Sequence, residues 1–316
     1  MIMISSIASK FKEKNFLIGL IITIVAIIVV GYYKPAVLIE GLQRSALYAI
    51  IALPMALLLG VVDVINLAHG DFMMLGAYFA YFLNVQFGMD PLVAIIPTIA
   101  VFFVFGLVVY FLTFKHAIGK TPLNQLLLGF GISYIFTEGI TLIATNQPRK
   151  LTMDYVSASA TIQGFTFGIY EFVYVIAAVV IFTGLQIFLK KTGTGQAAVA
   201  VGQNPRGAGI VGINIKWIYV LTFCISIALI SAVGPMMGSR YTLFPHVGVA
   251  FTLKSFSLVA VGGMGSITGV VFAALILGMG ETLVLSSLEY GKWAEIIYFA
   301  LIIGVIMYRS HQRQVK

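Results

Sequence analysis

The chain has 316 residues, of which 60% are hydrophobic and only 9% charged, and it carries a formal net charge of +8. Soluble domains keep about a quarter of their residues charged, so this composition excludes a soluble enzyme or binding module and marks an integral membrane protein whose first partner is the lipid bilayer. The basic residues are scattered at the ends of apolar runs rather than gathered on a polar face, which argues against nucleic acid as a partner. The one cysteine, Cys224, sits inside an apolar run, so it reads as a buried small residue and supports neither a disulfide framework nor a cysteine metal site.

Apolar runs long enough to cross about 30 Å of hydrocarbon as helices recur along the chain. They lie at about 16 to 33, 37 to 62, 69 to 87, 91 to 114, 123 to 144, 168 to 189, 217 to 238, 255 to 288 and 293 to 308. The first follows Lys10, Lys12 and Lys14 like a signal peptide but lacks a small-residue cleavage site, and it reads as a retained anchor. The eighth is too long for one helix, and the Gly-rich "VGGMGSITG", Val261 to Gly269, is expected to turn it into a hairpin or re-entrant pair. The expected fold is therefore all-α: a polytopic transmembrane bundle of about 8 spans plus a re-entrant or broken segment, forming one transmembrane domain over 1–316.

Lysine and arginine placement sets the expected orientation. Lys115, Lys120, Lys190, Lys191, Arg206 and Lys216 put 115 to 120 and 190 to 216 on the cytoplasmic side, and Arg309, Arg313 and Lys316 put the tail there too. Both termini are then cytoplasmic in a multi-pass protein of the cell membrane. Arg149, Lys150, Arg240 and Lys254 run against this bias. The largest polar segments, about 146 to 166 and 190 to 216, are too short to bury a core of their own.

The stretch "GVVDVINLAHGDFMMLGA", Gly60 to Ala77, places Asp63, Asn66, His69 and Asp71 between two apolar runs. Gly60 and Gly70 bracket them and allow a chain break between an arriving and a departing helix. Asp63, Asn66 and Asp71 are residue types that cap helix N-termini. Polar groups at membrane depth also survive where they face water or each other, so the same residues are candidates for lining a solute route. His69 reads as a structural donor rather than a metal ligand, because no second ligand stands at helical spacing. Gly262 and Gly263 form a second interruption, and paired interruptions often flag a central pathway. Glu138 and Glu281 lie deeper in apolar runs than the other acids; Glu138 joins the pathway candidates, and a proton-relay role for either is the weaker alternative.

Signs of catalysis are missing. The histidines, His69, His116, His246 and His311, are far apart, and no nucleophile and base occur together. "GVAFTLKS" has Leu253 where a phosphate loop needs its second glycine. The chain is therefore read as a non-enzyme that binds no cofactor or metal itself; any ATP it uses is bound by another chain. In "TGTGQAAVAVGQNPRGAGIVGINIKW", Thr192 to Trp217, small apolar residues interrupted by Pro205 and closed by Gly212 suggest a short helix, a turn and a second helix on the membrane surface. Such a segment is either an interfacial linker or a docking surface for a partner.

Three motifs carry a family resemblance: "DVINLAHGDFMMLGAYFAYFL" (63 to 83), "AVAVGQNPRGAGIVGIN" (198 to 214) and "VAVGGMGSITGVVFAALILGMGE" (259 to 281). With them the chain resembles the LivH-type permease subunits of branched-chain amino-acid ABC importers. The last two motifs also occur, in looser form, in sugar and nucleoside permeases. The resemblance implies pairing with a second, homologous permease, two cytoplasmic ATPase subunits that hold the ATP, and an extracytoplasmic solute-binding protein. It assigns ATPase coupling to the loop at about 190–216, with Ala200, Gln203, Asn204, Pro205, Arg206 and Gly212 as its candidate residues. The chain departs from the family in carrying Gln196, Val199 and Gly209 where arginines are usual. Importers of urea and short amides share "NLAHG", and an ion-coupled carrier using Glu138, Glu281 and the aspartates is the alternative of another class.

Overall fold

The computed structural model describes residues 35–151, 153–162, 165–286, 291–296, 298–300 and 302–303. The expected anchor at 16–33, most of the last run and the C-terminal tail lie outside the described residues. The helices are α1 Pro35–Val61, α2 His69–Phe87, α3 Ile95–Val109, α4 Pro122–Ala144, α5 Phe172–Lys191, α6 Gly193–Gln203, α7 Pro205–Ile210, α8 Ile215–Arg240, α9 Val247–Gly262 and α10 Ile267–Leu285. α3 continues through a π-helical turn, Tyr110–Phe114, so that the span runs Ile95–Ala117. Strands β1 Ser159–Ile162 and β2 Phe165–Gly168 form one antiparallel hairpin in the polar 146–166 segment. The all-α expectation holds. Six helices among the described residues are long and apolar enough to cross a membrane: α1, α3, α4, α5, α8 and α10. The 255–288 run resolves into α9, a turn at Gly263–Ser266 and α10, with α9 beginning earlier than the hydropathy suggested.

Burial separates centre from periphery. The apolar stretch of α1 is 89% buried and that of α8 72%, against 28% or less for α3, α4 and α5. A helix apolar on every side belongs in the middle of such a bundle, whereas the outward Ile96, Leu112, Leu142 and Val180 of the outer helices suit lipid. Both central helices contain a proline, Pro54 in α1 and Pro235 in α8. Proline cannot donate to the carbonyl four residues back and distorts that turn. Side chains from other elements bond to carbonyls nearby: Ser226 Oγ donates to Pro54 O at 2.7 Å, and Tyr170 Oη to Met236 O at 2.9 Å. Tyr170 lies beyond the spans, and burial pushes its hydroxyl pKa up to about 12, so it remains a donor at any physiological pH.

Two three-helix units repeat with inverted direction. In the first, α1 ends at Val61, residues 62–68 turn back along the bundle, and α2 starts at His69. In the second, α8 ends at Arg240 at the opposite end, residues 241–246 turn back, and α9 starts at Val247. α1 packs on α10 and α8 on α3, so the first helix of each unit lies against the third helix of the other. Gly60 and Gly70 of the first break are matched at the same spacing by Gly238 and Gly248 of the second. The counterpart of the first break is thus 241–246, and not the Gly262–Gly263 turn that the glycine pattern had suggested.

The two interior helix starts touch. A rise of about 1.5 Å per residue puts Ile51 about 15 Å short of the end of α1, and the first residue of α2 bonds to it there: His69 Nε2 lies 2.9 Å from Ile51 O. A Cβ on Gly70 would lie 2.8 Å from the carbonyl carbon of Gly248, and one on Gly248 would lie 2.7 Å from the carbonyl carbon of Gly70. Neither helix start admits a side chain at this crossing. Gly70→Val should therefore lower stability by about 1–3 kcal/mol or prevent folding, while Gly139→Ala, where a Cβ meets open space, should be neutral. Thermal unfolding of both variants in one detergent checks this.

Candidate solute route and coupling surface

The polar residues of the first break divide into different roles. Asp63 is exposed and takes a positive φ of 53°, shaping the turn after α1. Ala68, not an acid, occupies the N-cap of α2, and it makes no side-chain cap. Asn66 does the local work, its Oδ1 accepting from Ala68 N at 3.0 Å. Gln125 of α4 accepts from Ile65 N at 3.1 Å, and Thr252 of α9 accepts from Gly70 N at 2.7 Å. Amides that water would satisfy in a surface loop are thus met by side chains of other helices.

His69 and Asp71 are both fully buried. His69 donates through Nε2 to Ile51 O, which fixes the tautomer and leaves Nδ1 without a partner among the described residues. Ser255 Oγ reaches the same carbonyl at 3.2 Å, so one α1 carbonyl receives a side chain from each interior helix. Asp71 stands in the first turn of α2 and directly against Gly248 at the start of α9. Its oxygens make no close, well-aligned hydrogen bond, although the Ser133 hydroxyl of α4 acts on it. Asp71 thus lies at the contact between the starts of two helices, with neither oxygen accepting from a helix amide. It therefore does not provide the cap that its residue type suggests.

Glu138 stands apart from this group, partly exposed on α4 and in no ion pair among the described residues. Gly262 and Gly263 lie at the far end of α9 from Gly248 and turn the chain into α10. They do not share a site with His69 and Asp71.

A second polar cluster joins α1, α9 and α10, and only its acid stood out in the sequence. Glu281, 4% exposed at its side chain, accepts from Lys254 Nζ at 3.2 Å and from Arg44 Nη1 at 3.4 Å. Tyr48 donates to the other oxygen of Glu281 and accepts from Lys254 Nζ at 2.7 Å. Lys254 also sits over the rings of Tyr48 and Tyr298, at 4.9 and 5.3 Å from their centroids. Sequence reading counted Lys254 as a loop cation against the charge bias; it lies inside α9 and carries no topological information. Because its partners are more than 200 residues away in one case, local sequence could not reveal them.

The segment from Thr192 to Trp217 folds as the expected helix, turn and helix. Thr192, Asn204 and Asn214 cap α6, α7 and α8 in turn, accepting from Gly195 N, Gly207 N and Trp217 N at 3.0, 3.0 and 3.2 Å. Gln203, Asn204, Pro205 and Arg206 form an exposed polar edge, beside Ile210 and Val211 at 86% and 75% exposure. Ala200 is half-buried, and Gly212 takes a φ of 88° with open space around it, so backbone conformation rather than crowding calls for glycine there. On its inner side α6 rests on the end of α1: a Cβ on Gly202 would meet the Gly60 carbonyl, and one on Gly60 would lie 2.5 Å from Gly265 Cα. Three backbones therefore converge where α6, α1 and the α9–α10 turn meet.

Removing one member of the buried ion cluster strands the others. Glu281→Leu alone should cost about 3–5 kcal/mol by leaving Lys254 without its carboxylate, and Lys254→Met added to it should recover most of that loss. A double-mutant cycle by thermal unfolding checks the coupling; strictly additive losses would contradict it.

Comparison with known proteins follows the same lines. The chain is 26% identical over 293 residues to the high-affinity branched-chain amino acid transport system permease protein BraD of Pseudomonas aeruginosa, covering 88% of this chain and 94% of that protein. It is 26% identical over 288 residues to LivH of Escherichia coli K12, covering 85% and 91%. The ribose import permease protein RbsC of Haemophilus influenzae is 26% identical over 326 aligned residues, covering 96% of each chain. No solved structure matches significantly. Residues 37–306 match the family described as the permease component of the branched-chain amino acid transport system, and the chain belongs to that family.

Proposed function

We propose that this chain is a non-catalytic membrane subunit of an ABC importer that moves branched-chain or similar small amino acids inward. In this reading it forms one permease domain over 1–316 and pairs with a second, homologous permease. Two cytoplasmic ATPase subunits bind the ATP, and an extracytoplasmic binding protein delivers the solute. The observation that carries the reading is the α6–α7 segment: exposed on one side for a partner, and seated on the other against Gly60 and the α9–α10 turn. A push on α6 reaches both inverted units without passing through a flexible loop.

This reading puts the α6–α7 end in the cytoplasm and the β1–β2 hairpin outside, with both chain termini cytoplasmic. Asp63, Asn66, His69 and Asp71 then support a break that borders the solute route from the cytoplasmic half, and Gly262 and Gly263 serve the coupling end. The ion-coupled alternative gains nothing from Glu281, which is engaged by two cations and a tyrosine.

Two outcomes are expected. In a Cys224→Ser background, an impermeant maleimide should label Thr161→Cys in intact cells and leave Gln203→Cys unlabelled until the membrane is opened; the reverse pattern would invert the assignment. Gly202→Val should keep the partner subunits bound but cut uptake roughly tenfold or more relative to ATP hydrolysis, because its side chain lifts α6 from Gly60. Co-purification and binding-protein-stimulated ATP hydrolysis of the gently solubilised complex provide the readout. Normal coupling in that variant would count against α6 as the transmission element.

A further inference from the structure

At the end of the bundle bearing the β-hairpin, a cavity of about 430 Å³ opens between α1, α5 and α8, a size within the usual range of about 300–1,000 Å³ for small-molecule sites. Its polar lining is Glu40, Gln43, Arg44, Glu171, Arg240 and Tyr241. We propose that this cavity is a reception site for a zwitterionic amino-acid head group, with the carboxylate held by Arg44 and Arg240 and the ammonium by Glu171 and Glu40. The inference rests on the importer reading above and deepens it by assigning a place and a polarity to the solute.

The charges of the wall are balanced. Arg44 and Arg240 stand with Glu40 and Glu171, and the adjoining Lys254 pairs with Glu281, so the region has no net charge with which to hold a lone anion or cation. A molecule bearing one charge of each sign suits it. Glu171 supplies the more specific sign. One of its carboxylate oxygens pairs with Arg240, and its side chain lines the cavity and keeps 16% exposure. A carboxylate lining a cavity accepts more than one donor, and an α-ammonium has three to offer. Arg44 gives one N–H to Glu281 and stands partly exposed at the wall, so its five-donor fork has further N–H groups to offer a carboxylate.

The position gives the occupant a consequence. Tyr241 closes the wall and is also the first residue of the 241–246 segment that leads to Gly248 and the interior crossing. Arg44 belongs both to the cavity and to the Lys254–Glu281 cluster. A head group drawn between Arg44 and Arg240 thus pulls on α1 and on the hinge of the second break together. Buried Gln43 firms the site from below, donating to Gly168 O at 2.8 Å and tying the hairpin to α1.

The test uses the complete transporter with its co-purifying subunits and loaded binding protein in proteoliposomes, reading leucine moved per ATP hydrolysed. Glu171→Gln and Arg240→Gln should each lower that ratio about tenfold or more. The charge-swapped pair Glu171→Arg with Arg240→Glu restores the salt bridge but reverses the polarity met by the head group; it should assemble normally and stay impaired. A swapped transporter working within about twofold of wild type would overturn the inference and leave the importer reading standing. Failure of the wild-type complex to carry leucine or any related amino acid would instead remove both. If neither the single variants nor the swap assembles, the pair is structural and the reception site is rejected.

Discussion

Two helices of this protein begin in its interior, and the first amides of a helix have no partners within it. In hydrocarbon no water can supply them. The crossing of α2 and α9 is the answer, and much of the architecture follows from it. Thr252 accepts from Gly70 N, Asn66 from Ala68 N and Gln125 from Ile65 N, so three amides of the first break draw side chains from specified places, while His69 N and Asp71 N bond to carbonyls of the break itself. Those side chains belong to α9, to the break itself and to α4, which fixes where these elements lie. The backbones approach so closely that both facing positions must be glycine, and the Asp71 side chain lies at the same point.

Inversion follows from the same constraint. A single re-entrant start would leave its positive end facing whatever helix happened to be near. Here the two interior helices share one acceptor carbonyl of α1, Ile51 O, which receives His69 from the start of α2 and Ser255 from the middle of α9. The proline in α1, three residues beyond, disturbs the helical turn in which that carbonyl sits. Each break also has its own end of the bundle. The first opens toward α6 through Gly60, the second toward the cavity beside Arg240. A movement at either end is thereby connected to the crossing, as an importer coupling outside solute to inside ATPase would require.

Much of this was legible in the sequence, for reasons that can be given residue by residue. Apolar runs marked most of the described spans to within a few residues, because hydrocarbon thickness sets their length, while α9 begins eight residues before its run. Gly60 and Gly70 around "DVINLAH" marked the first break, because polar residues between such runs need a local reason. Asn204 before Pro205 marked the turn of the coupling segment. The matching break was hidden: "SRYTLFPHV" between Gly238 and Gly248 reads as an ordinary connection between two apolar runs, and the richer glycine cluster at Gly262–Gly265 drew the pairing instead. The ion cluster was hidden for another reason. Neither α1 nor α9 has a clear polar stripe, so no periodicity tells which face Tyr48 occupies or that Lys254 points inward. Pairings across more than 200 residues become visible only once the helices are packed.

Amide hydrogen exchange on the intact complex in lipid tests the crossing most directly. Residues 66–71 are nonhelical at their start and read as a loop, yet the bonds described here hold them inside the protein. The account predicts that these amides exchange as slowly as the core of α1 and far more slowly than the exposed turn at Gln203–Arg206. Exchange of residues 66–71 at the rate of that surface turn would place the break in water and contradict the interior crossing on which the rest is built.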